Sequence, residues 1–252
     1  MKIVFLSGGA RHHALRHLLE RGENVCAVIT PFMSVGNCRF KDVVLTAVEF
    51  GVPVFPVVRD GVGDVIKQLK PDVIVSCGFP YILSETCISL ARYAINVHPT
   101  LLPKYRGFRS GAYILMNGET ESGITVHFLT AEMDCGDILV QRSFPLTPFD
   151  TPKSMYRKGQ VVEPSALFEA IQLLKSDSFS VIKQDESQAS EYTTVRTPSD
   201  SQVNPHNSLL ELMNEIRACD SDAYPAHFYH KGQKVCIKLW RPEKSVDESD
   251  MI

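Results

Sequence analysis

The chain has 252 residues, enough for one large domain or for one domain with a small appendage. Its 44% hydrophobic and 22% charged composition is that of a soluble globular protein, and a formal net charge of −3 gives no global attraction to nucleic acid. Seven cysteines, an odd number with no Cys-x-x-Cys pair, point to reduced thiols in a cytoplasmic chain and away from a disulfide framework or a zinc cluster.

Residues 2–6 are a continuous apolar run, the pattern of a strand buried on both faces of a parallel sheet. The run stops at Ser7-Gly8-Gly9, too short for a signal peptide or a membrane span, and no later stretch reaches membrane length. Residues 10–21 read as a helix with Leu15, Leu18 and Leu19 on one side, ended by Gly22, and 24–30 as the next strand. Strand, turn, helix and strand in that order predict a mostly parallel, doubly wound α/β sheet of Rossmann-like type. The glycine pair lacks the Gly-x-Gly-x-x-Gly and Gly-Lys-[Ser/Thr] patterns, so it reads as a tight connection rather than a nucleotide loop. Open α/β sheets bind ligands at the C-terminal edge of their strands, which makes Gly8, Arg11 and His12 candidates on the substrate side. His13 and His17 lie four apart, but no third ligand accompanies them and no metal site is expected.

Residues 39–51 read as a helix, 52–57 as a short strand, 64–69 as a brief helix and 73–77 as another buried strand. Gly78-Phe79-Pro80-Tyr81-Ile82-Leu83 follows, and its apolar side chains suit either core packing or a pocket for a flat heterocycle. A short helix at 84–92 leads to a strand at 94–98. There Asn96 and His98 stand two apart and project to the same side, just before Pro99. The amide can donate to a developing oxyanion, and the imidazole can handle a proton near neutral pH. Asp134, in the turn Met133-Asp134-Cys135-Gly136-Asp137, would orient the imidazole and raise its pKa. Asn96, His98 and Asp134 together suit acyl transfer and are the expected catalytic set.

Lys104, Tyr105 and Arg106 sit on a loop between Pro103 and Gly107, either as a solvated turn or as the rim of an anionic substrate site, because arginine grips phosphate through a rigid fork. Residues 110–117 read as a helix closed by Gly118. Residues 125–129 alternate, with His127 beside Thr125 and Leu129, near the site or packed behind it. Residues 138–142 are a strand, and 154–175 a long helix in which Pro164 predicts a kink or a break. Residues 185–207 are polar and read as a crossing segment. A helix at 208–220 and a hairpin turning at His230-Lys231-Gly232-Gln233 follow, then an acidic, frayed end over 243–252. The chain therefore divides into a main domain, residues 1–184, and a crossing segment with helix and hairpin, residues 185–252.

The run Asn96-Val97-His98-Pro99-Thr100-Leu101-Leu102-Pro103-Lys104-Tyr105-Arg106-Gly107, followed by Gly123-Ile124-Thr125-Val126-His127-Phe128 and the Asp134 turn, resembles the signature of the formyltransferases that use N10-formyltetrahydrofolate. The likeness is strong over residues 70–145 and architectural elsewhere. It implies the formyltransferase fold with a small C-terminal helix and β-hairpin, and N10-formyltetrahydrofolate as co-substrate. By resemblance, Gly78, Phe79, Tyr81, Ile82 and Leu83 hold the pteridine ring, with Asp134 and Asp137 nearby and the first of the two acids catalytic. Thr100, Lys104, Tyr105, Arg106 and His127 then join Gly8, Arg11 and His12 on the acceptor side. The implied reaction moves a formyl group to a primary amine, with Asn96 and a protonated His98 stabilising the oxyanion and Asp134 holding the imidazole.

The acceptor expected first is a nucleotide-linked amino sugar, of the dTDP-4-amino-4,6-dideoxyhexose type used for surface polysaccharides. Methionyl-tRNA formyltransferases carry a larger C-terminal barrel than the stretch after residue 207 allows, and a tRNA binder calls for a basic field. The tail around Ile216-Arg217-Ala218 and Tyr224-Pro225-Ala226-His227-Phe228-Tyr229 resembles that of sugar N-formyltransferases. Glycinamide ribonucleotide formyltransferases form another alternative, from whose Gly-Ser-Gly turn Ser7-Gly8-Gly9-Ala10 departs. A module that binds folate or a sugar nucleotide without turnover is the non-enzymatic alternative. Neither nucleic acid nor membrane is an expected partner. The apolar hairpin packs on its own domain or on a second subunit in a homodimer.

Overall fold

The computed structural model describes residues 1–32, 39–107, 110–194 and 196–244, so Cys38 and most of the acidic tail expected to fray lie outside the described residues. Strands β1 (Ile3–Leu6), β2 (Val25–Pro31), β3 (Val54–Val57), β4 (Val73–Cys77) and β5 (Tyr93–His98) alternate with helices α1 (His12–Glu20), α2 (Lys41–Glu49), α3 (Val62–Leu69) and α4 (Glu85–Ile88). A two-residue strand β6 (Arg106–Gly107), helix α5 (Gly111–Met116), strands β7 (Glu121–Phe128) and β8 (Ile138–Pro145) and the long helix α6 (Pro152–Ser176) follow. The chain then crosses back through β9 (Glu191–Tyr192) to α7 (Leu209–Arg217) and a hairpin of β10 (Ala226–His230) and β11 (Gln233–Ile237).

Seven strands form one sheet in the order β3-β2-β1-β4-β5-β7-β8. The first five pair in parallel, and β7 and β8 extend the edge antiparallel. The unbroken apolar runs are explained by burial on both faces. Ile3, Phe5, Val73 and Val75 point into a core with α1, α2 and α6, while Val4, Leu6 and Ile74 point into a second core with α3. Fully burying each such side chain stabilises the fold by roughly 1.5–3 kcal/mol. The strand order reverses between β1 and β4, and their C-terminal ends open a crevice there. The Gly8 N–H donates to the Gly78 carbonyl at 3.1 Å across this crevice.

Two local expectations are corrected. Helix α6 runs unbroken through Pro164, from a Thr151–Ser154 capping box to Ser176. Glu163, Ala166, Leu167 and Ala170 are buried on either side of the proline, and that packing outweighs the one lost backbone bond. Helix α4 is a single turn, capped by Ser84, instead of spanning 84–92.

The C-terminal elements bury their own cluster, Val203, Leu212, Ile216, Cys219 and Ala226. Arg217 of α7 ties them to the rest by donating to the carbonyls of Thr147 at 2.8 Å and Leu115 at 3.2 Å. Tyr229, Val235 and Trp240 stay exposed on and beside the hairpin. Among the described residues, no helix is long and apolar enough to cross a membrane.

Candidate active site

Strand β5 delivers Asn96 and His98 to one side of the sheet's C-terminal edge, as the two-residue spacing requires. Antiparallel pairing of β5 with β7 sets Asn96 directly opposite His127. The turn between β7 and β8 brings in Asp134, which holds a left-handed backbone with φ at 57°. Gly136 is required beside it, because a Cβ there would run into the Phe128 carbonyl.

The Asp134 carboxylate gathers these groups. Its Oδ1 accepts from Asn96 Nδ2 at 3.3 Å and lies 3.5 Å from His127 Nε2. Its Oδ2 accepts from the Gly107 N–H at 3.0 Å and lies 3.4 Å from His98 Nδ1. Burial alone would raise its pKa, but His98, His127 and the Gly107 amide outweigh that and pull it down to about 2. Asp134 is therefore a carboxylate throughout the physiological range. His127 Nδ1 donates to the Phe128 carbonyl at 2.9 Å, and its Nε2 lies 3.2 Å from Asn96 Nδ2 and 3.5 Å from Asp134 Oδ1.

His98 is 5% exposed, and its Nε2 donates to the Tyr105 carbonyl at 3.0 Å. Its charge state corrects the expectation of a raised pKa. Burial dominates and lowers it, although Asp134 and the Tyr105 carbonyl both push back, and Arg11 and His127 add to the lowering. The ring is neutral at pH 7, with its Nδ1 lone pair on the Asp134 side. A proton arriving there meets a carboxylate already in place.

The cleft above these groups is a cavity of about 370 Å³. Gly78, Phe79, Tyr81, Ile82 and Leu83 line one wall, and His127, Leu129 and Met133 line the other. Leu83 is buried, Phe79 and Tyr81 are half-buried and pack edge to face, and Ile82 is exposed. Asp137 is not part of the cleft's lining, and its backbone carbonyl accepts the Phe128 N–H at 3.0 Å.

The acceptor-side candidates separate. Arg11 and His127 line the cleft, whereas Thr100, Lys104, Tyr105 and Arg106 do not. The Thr100 hydroxyl donates to the Lys104 carbonyl, and its own carbonyl accepts from Thr125. Lys104 is exposed, 3.8 Å from Glu119. The Tyr105 phenol donates to Glu119, and burial pushes its pKa to about 12. Arg106 is 2% exposed, and its guanidinium is committed to Gln184 and Glu186. Gly8 packs against Pro80, where a Cβ would have no room. His12 turns toward His13, with ring centroids 3.9 Å apart, and does not reach the cleft.

Three contributors were missed in the sequence. The Gly107 amide acts through the backbone. Gln184 donates to the carbonyls of Asp134 and Gly136 at 2.8 and 2.7 Å and fixes the turn from below. Glu163 pairs with Arg11 in the interior, and it falls on the buried stripe of α6 with Leu167, Ala170 and Leu174. An acid on that stripe was the available signal.

Residues 56–171 match the family model described as formyl transferase. Residues 56–171 thus carry a formyl transferase domain. A methionyl-tRNA formyltransferase of Geotalea uraniireducens (strain Rf4) is 36% identical over 197 residues, 74% of this chain. The chain spans 62% of that relative's length. Among solved structures, a 4-N formyltransferase from Francisella tularensis superposes with a TM-score of 0.76 at 20% identity, over 94% of this chain and 96% of that one. An N-formyltransferase from Helicobacter canadensis, in complex with folinic acid and dTDP-3-aminofucose, superposes with a TM-score of 0.72 at 20% identity, over 93% and 85% of the two chains. The formyltransferase fold is common to all, and Asn96, His98 and Asp134 lie inside the span matched to the family.

Proposed function

We propose that this formyltransferase moves a formyl group from N10-formyltetrahydrofolate to a primary amine, and that a nucleotide-linked amino-deoxysugar of the dTDP-4-amino-4,6-dideoxyhexose type carries that amine. The observation that supports it most is the Asp134 carboxylate, met by Asn96, His98, His127 and the Gly107 amide beneath an apolar cleft. The cleft fits the folate: half-buried Phe79 and Tyr81 beside an exposed Ile82 suit a flat ring, and the backbone of Gly78 is open to it. When bound, the folate supplies an activated formyl carbonyl.

Asn96 Nδ2 is the donor for the oxygen that gains negative charge when the amine adds. His98, neutral at the start, takes the amine's proton on Nδ1 and Asp134 stabilises the imidazolium; as the bond from the formyl carbon to N10 breaks, the imidazolium returns that proton to N10, releasing tetrahydrofolate and the formylated amine. His127 and Asp134 engage the Asn96 amide in the resting site, at 3.2 and 3.3 Å, and one of these contacts gives way to the oxyanion when the amine adds. In this proposal residues 1–184 carry the chemistry and 185–252 brace it, through Ser190 and Arg217.

Two lines favour the sugar: the fold likeness to the enzyme with dTDP-3-aminofucose, and a net charge of −3. Methionyl-tRNA is the second acceptor to consider, because the Geotalea uraniireducens relative acts on it by name. The test mixes the protein with N10-formyltetrahydrofolate and, separately, dTDP-linked 4-amino and 3-amino sugars, glycinamide ribonucleotide and methionyl-tRNA. Tetrahydrofolate release with a formyl mass gain on one amino sugar is expected, and Asn96→Ala should reduce it by a factor on the order of 100–1000. Turnover on tRNA alone would keep the chemistry and replace the acceptor. No turnover on any acceptor, with folate bound, would leave a binding module.

A further inference from the structure

A second cavity, of about 300 Å³, adjoins the catalytic cleft, and the two share Arg11, Pro99 and Gly111 in their walls. It is walled mainly by Ile124, Phe144, Met155 and Ala218, with Arg196 among its few charged groups. Arg11 thus stands at the junction of the two spaces.

The setting of Arg11 is unusual for a residue following a first strand. It is 9% exposed, and its Nη1 donates to Glu163, which is 1% exposed. The guanidinium lies over the Tyr156 ring, 5.3 Å from its centroid, and its Nε lies 3.1 Å from where a Cβ of Gly78 would stand. Tyr156 and Gln160 also donate to the Ala10 carbonyl, at 2.9 and 3.3 Å. Positions 156, 160 and 163 form one face of α6, so a single helix face fixes both the loop and the cation. Among the described residues only Nη1 has a hydrogen-bond partner, so Nε and Nη2 keep uncommitted donors on a side chain whose residue lines both cavities.

Burying a guanidinium and a carboxylate together gains a fold little, because desolvation offsets their attraction. Such a pair is explained when the cation has a second task. A guanidinium held between a ring and a carboxylate presents its remaining N–H groups as a preorganised fork, the geometry that matches a phosphate.

We infer that the second cavity takes the body of the amine acceptor and that Arg11, positioned by Glu163, binds a phosphate group carried by that acceptor. This rests on the formyl-transfer reading and narrows it: the acceptor is a phosphate ester with a compact, largely apolar group between phosphate and amine. A deoxysugar diphosphate and the aminoacyl end of an RNA both have this chemistry.

The test measures binding by calorimetry for wild type, Arg11→Lys and the double variant Arg11→Met/Glu163→Met, which replaces the buried pair by apolar side chains. The probes are 5-formyltetrahydrofolate, inorganic pyrophosphate, dTDP and a short RNA acceptor-end oligonucleotide. Wild type is expected to bind pyrophosphate, and Arg11→Lys, which keeps the charge without the fork, to bind it at least tenfold more weakly. The folate affinity of that variant should fall by a smaller factor than its pyrophosphate affinity. The double variant should fold, bind folate and lose pyrophosphate. Tighter binding of dTDP than of pyrophosphate assigns the phosphate to a nucleotide sugar, and tighter binding of the oligonucleotide assigns it to RNA. Equal pyrophosphate affinity in wild type and Arg11→Lys, parallel loss of folate and pyrophosphate, or no phosphate binding by wild type would each overturn the inference. Failure of wild type to bind folate would instead overturn the formyl-transfer reading.

Discussion

Asp134 Oδ2 accepts the Gly107 N–H at 3.0 Å, and this one bond joins the turn between β7 and β8 to the loop that follows His98. The same oxygen faces His98 Nδ1, so the carboxylate both holds the loop and waits for the imidazole's proton. Asp134→Asn keeps the shape and removes the charge that stabilises the imidazolium. Turnover should fall on the order of 100-fold or more, in the range of a lost acid–base or electrostatic contribution. Single-turnover release of tetrahydrofolate checks this, and near-normal rates would remove Asp134 from the chemistry.

The pH dependence has a definite sign. His98 has its folded pKa lowered from 6.5 by burial, so it is a competent base at pH 7, and activity should fall only as the solution becomes distinctly acid. A profile still rising above pH 7.5 would contradict a neutral His98.

Stability follows the same two groups. Asp134 drops from 3.8 to about 2 on folding, so its contribution is complete above 3.8 and is lost as pH falls toward 2. That contribution is about 2 kcal/mol. His98 prefers its neutral form in the fold, so its contribution is complete above 6.5 and erodes as pH falls below that value. Urea midpoints at pH 7, 5 and 3 should decline in that order. A flat series would show that the site charges are indifferent to folding.

Gly107 has φ at 100°, and a Cβ there would run into the Tyr192 carbonyl across the β6–β9 pair. Gly107→Ala should therefore cost about 1–3 kcal/mol and displace the amide from Asp134. Thermal unfolding with and without 5-formyltetrahydrofolate measures both effects, and a variant with unchanged Tm and ligand shift would argue against this strain.

Arg106 is a brace beneath the site. It holds Gln184, and Gln184 holds the carbonyls of Asp134 and Gly136. Arg106→Gln should lower stability by about 1–3 kcal/mol, the cost of unmaking buried polar contacts. It should lower kcat several-fold and leave the acceptor KM unchanged. A rise in acceptor KM alone would return Arg106 to the substrate rim.

Much of this molecule was legible in one dimension because its signals are local. Unbroken apolar runs such as residues 3–6 announce strands buried on both faces, and the two-residue step from Asn96 to His98 places both on one side. What was not legible depends on register and burial. Nothing near Asn96 in sequence says that His127 will lie opposite it, since that follows from how β5 and β7 pair. Arg106 looks like an exposed loop cation until the crossing segment returns with Gln184 and Glu186 to cover it. For His98, a nearby carboxylate and loss of water push in opposite directions, and only the three-dimensional enclosure decides which prevails.

Glu163, Gln184 and Ser190 reach the site from far down the chain, and Ser190 closes it by accepting the Tyr105 N–H at 2.9 Å. During synthesis, Asn96, His98 and Asp134 leave the ribosome well before these supports. On the proposed mechanism, a nascent chain thus owns Asn96, His98 and Asp134 before it owns the means to hold them in place, and competence arrives only when residues past 190 are free to wrap back.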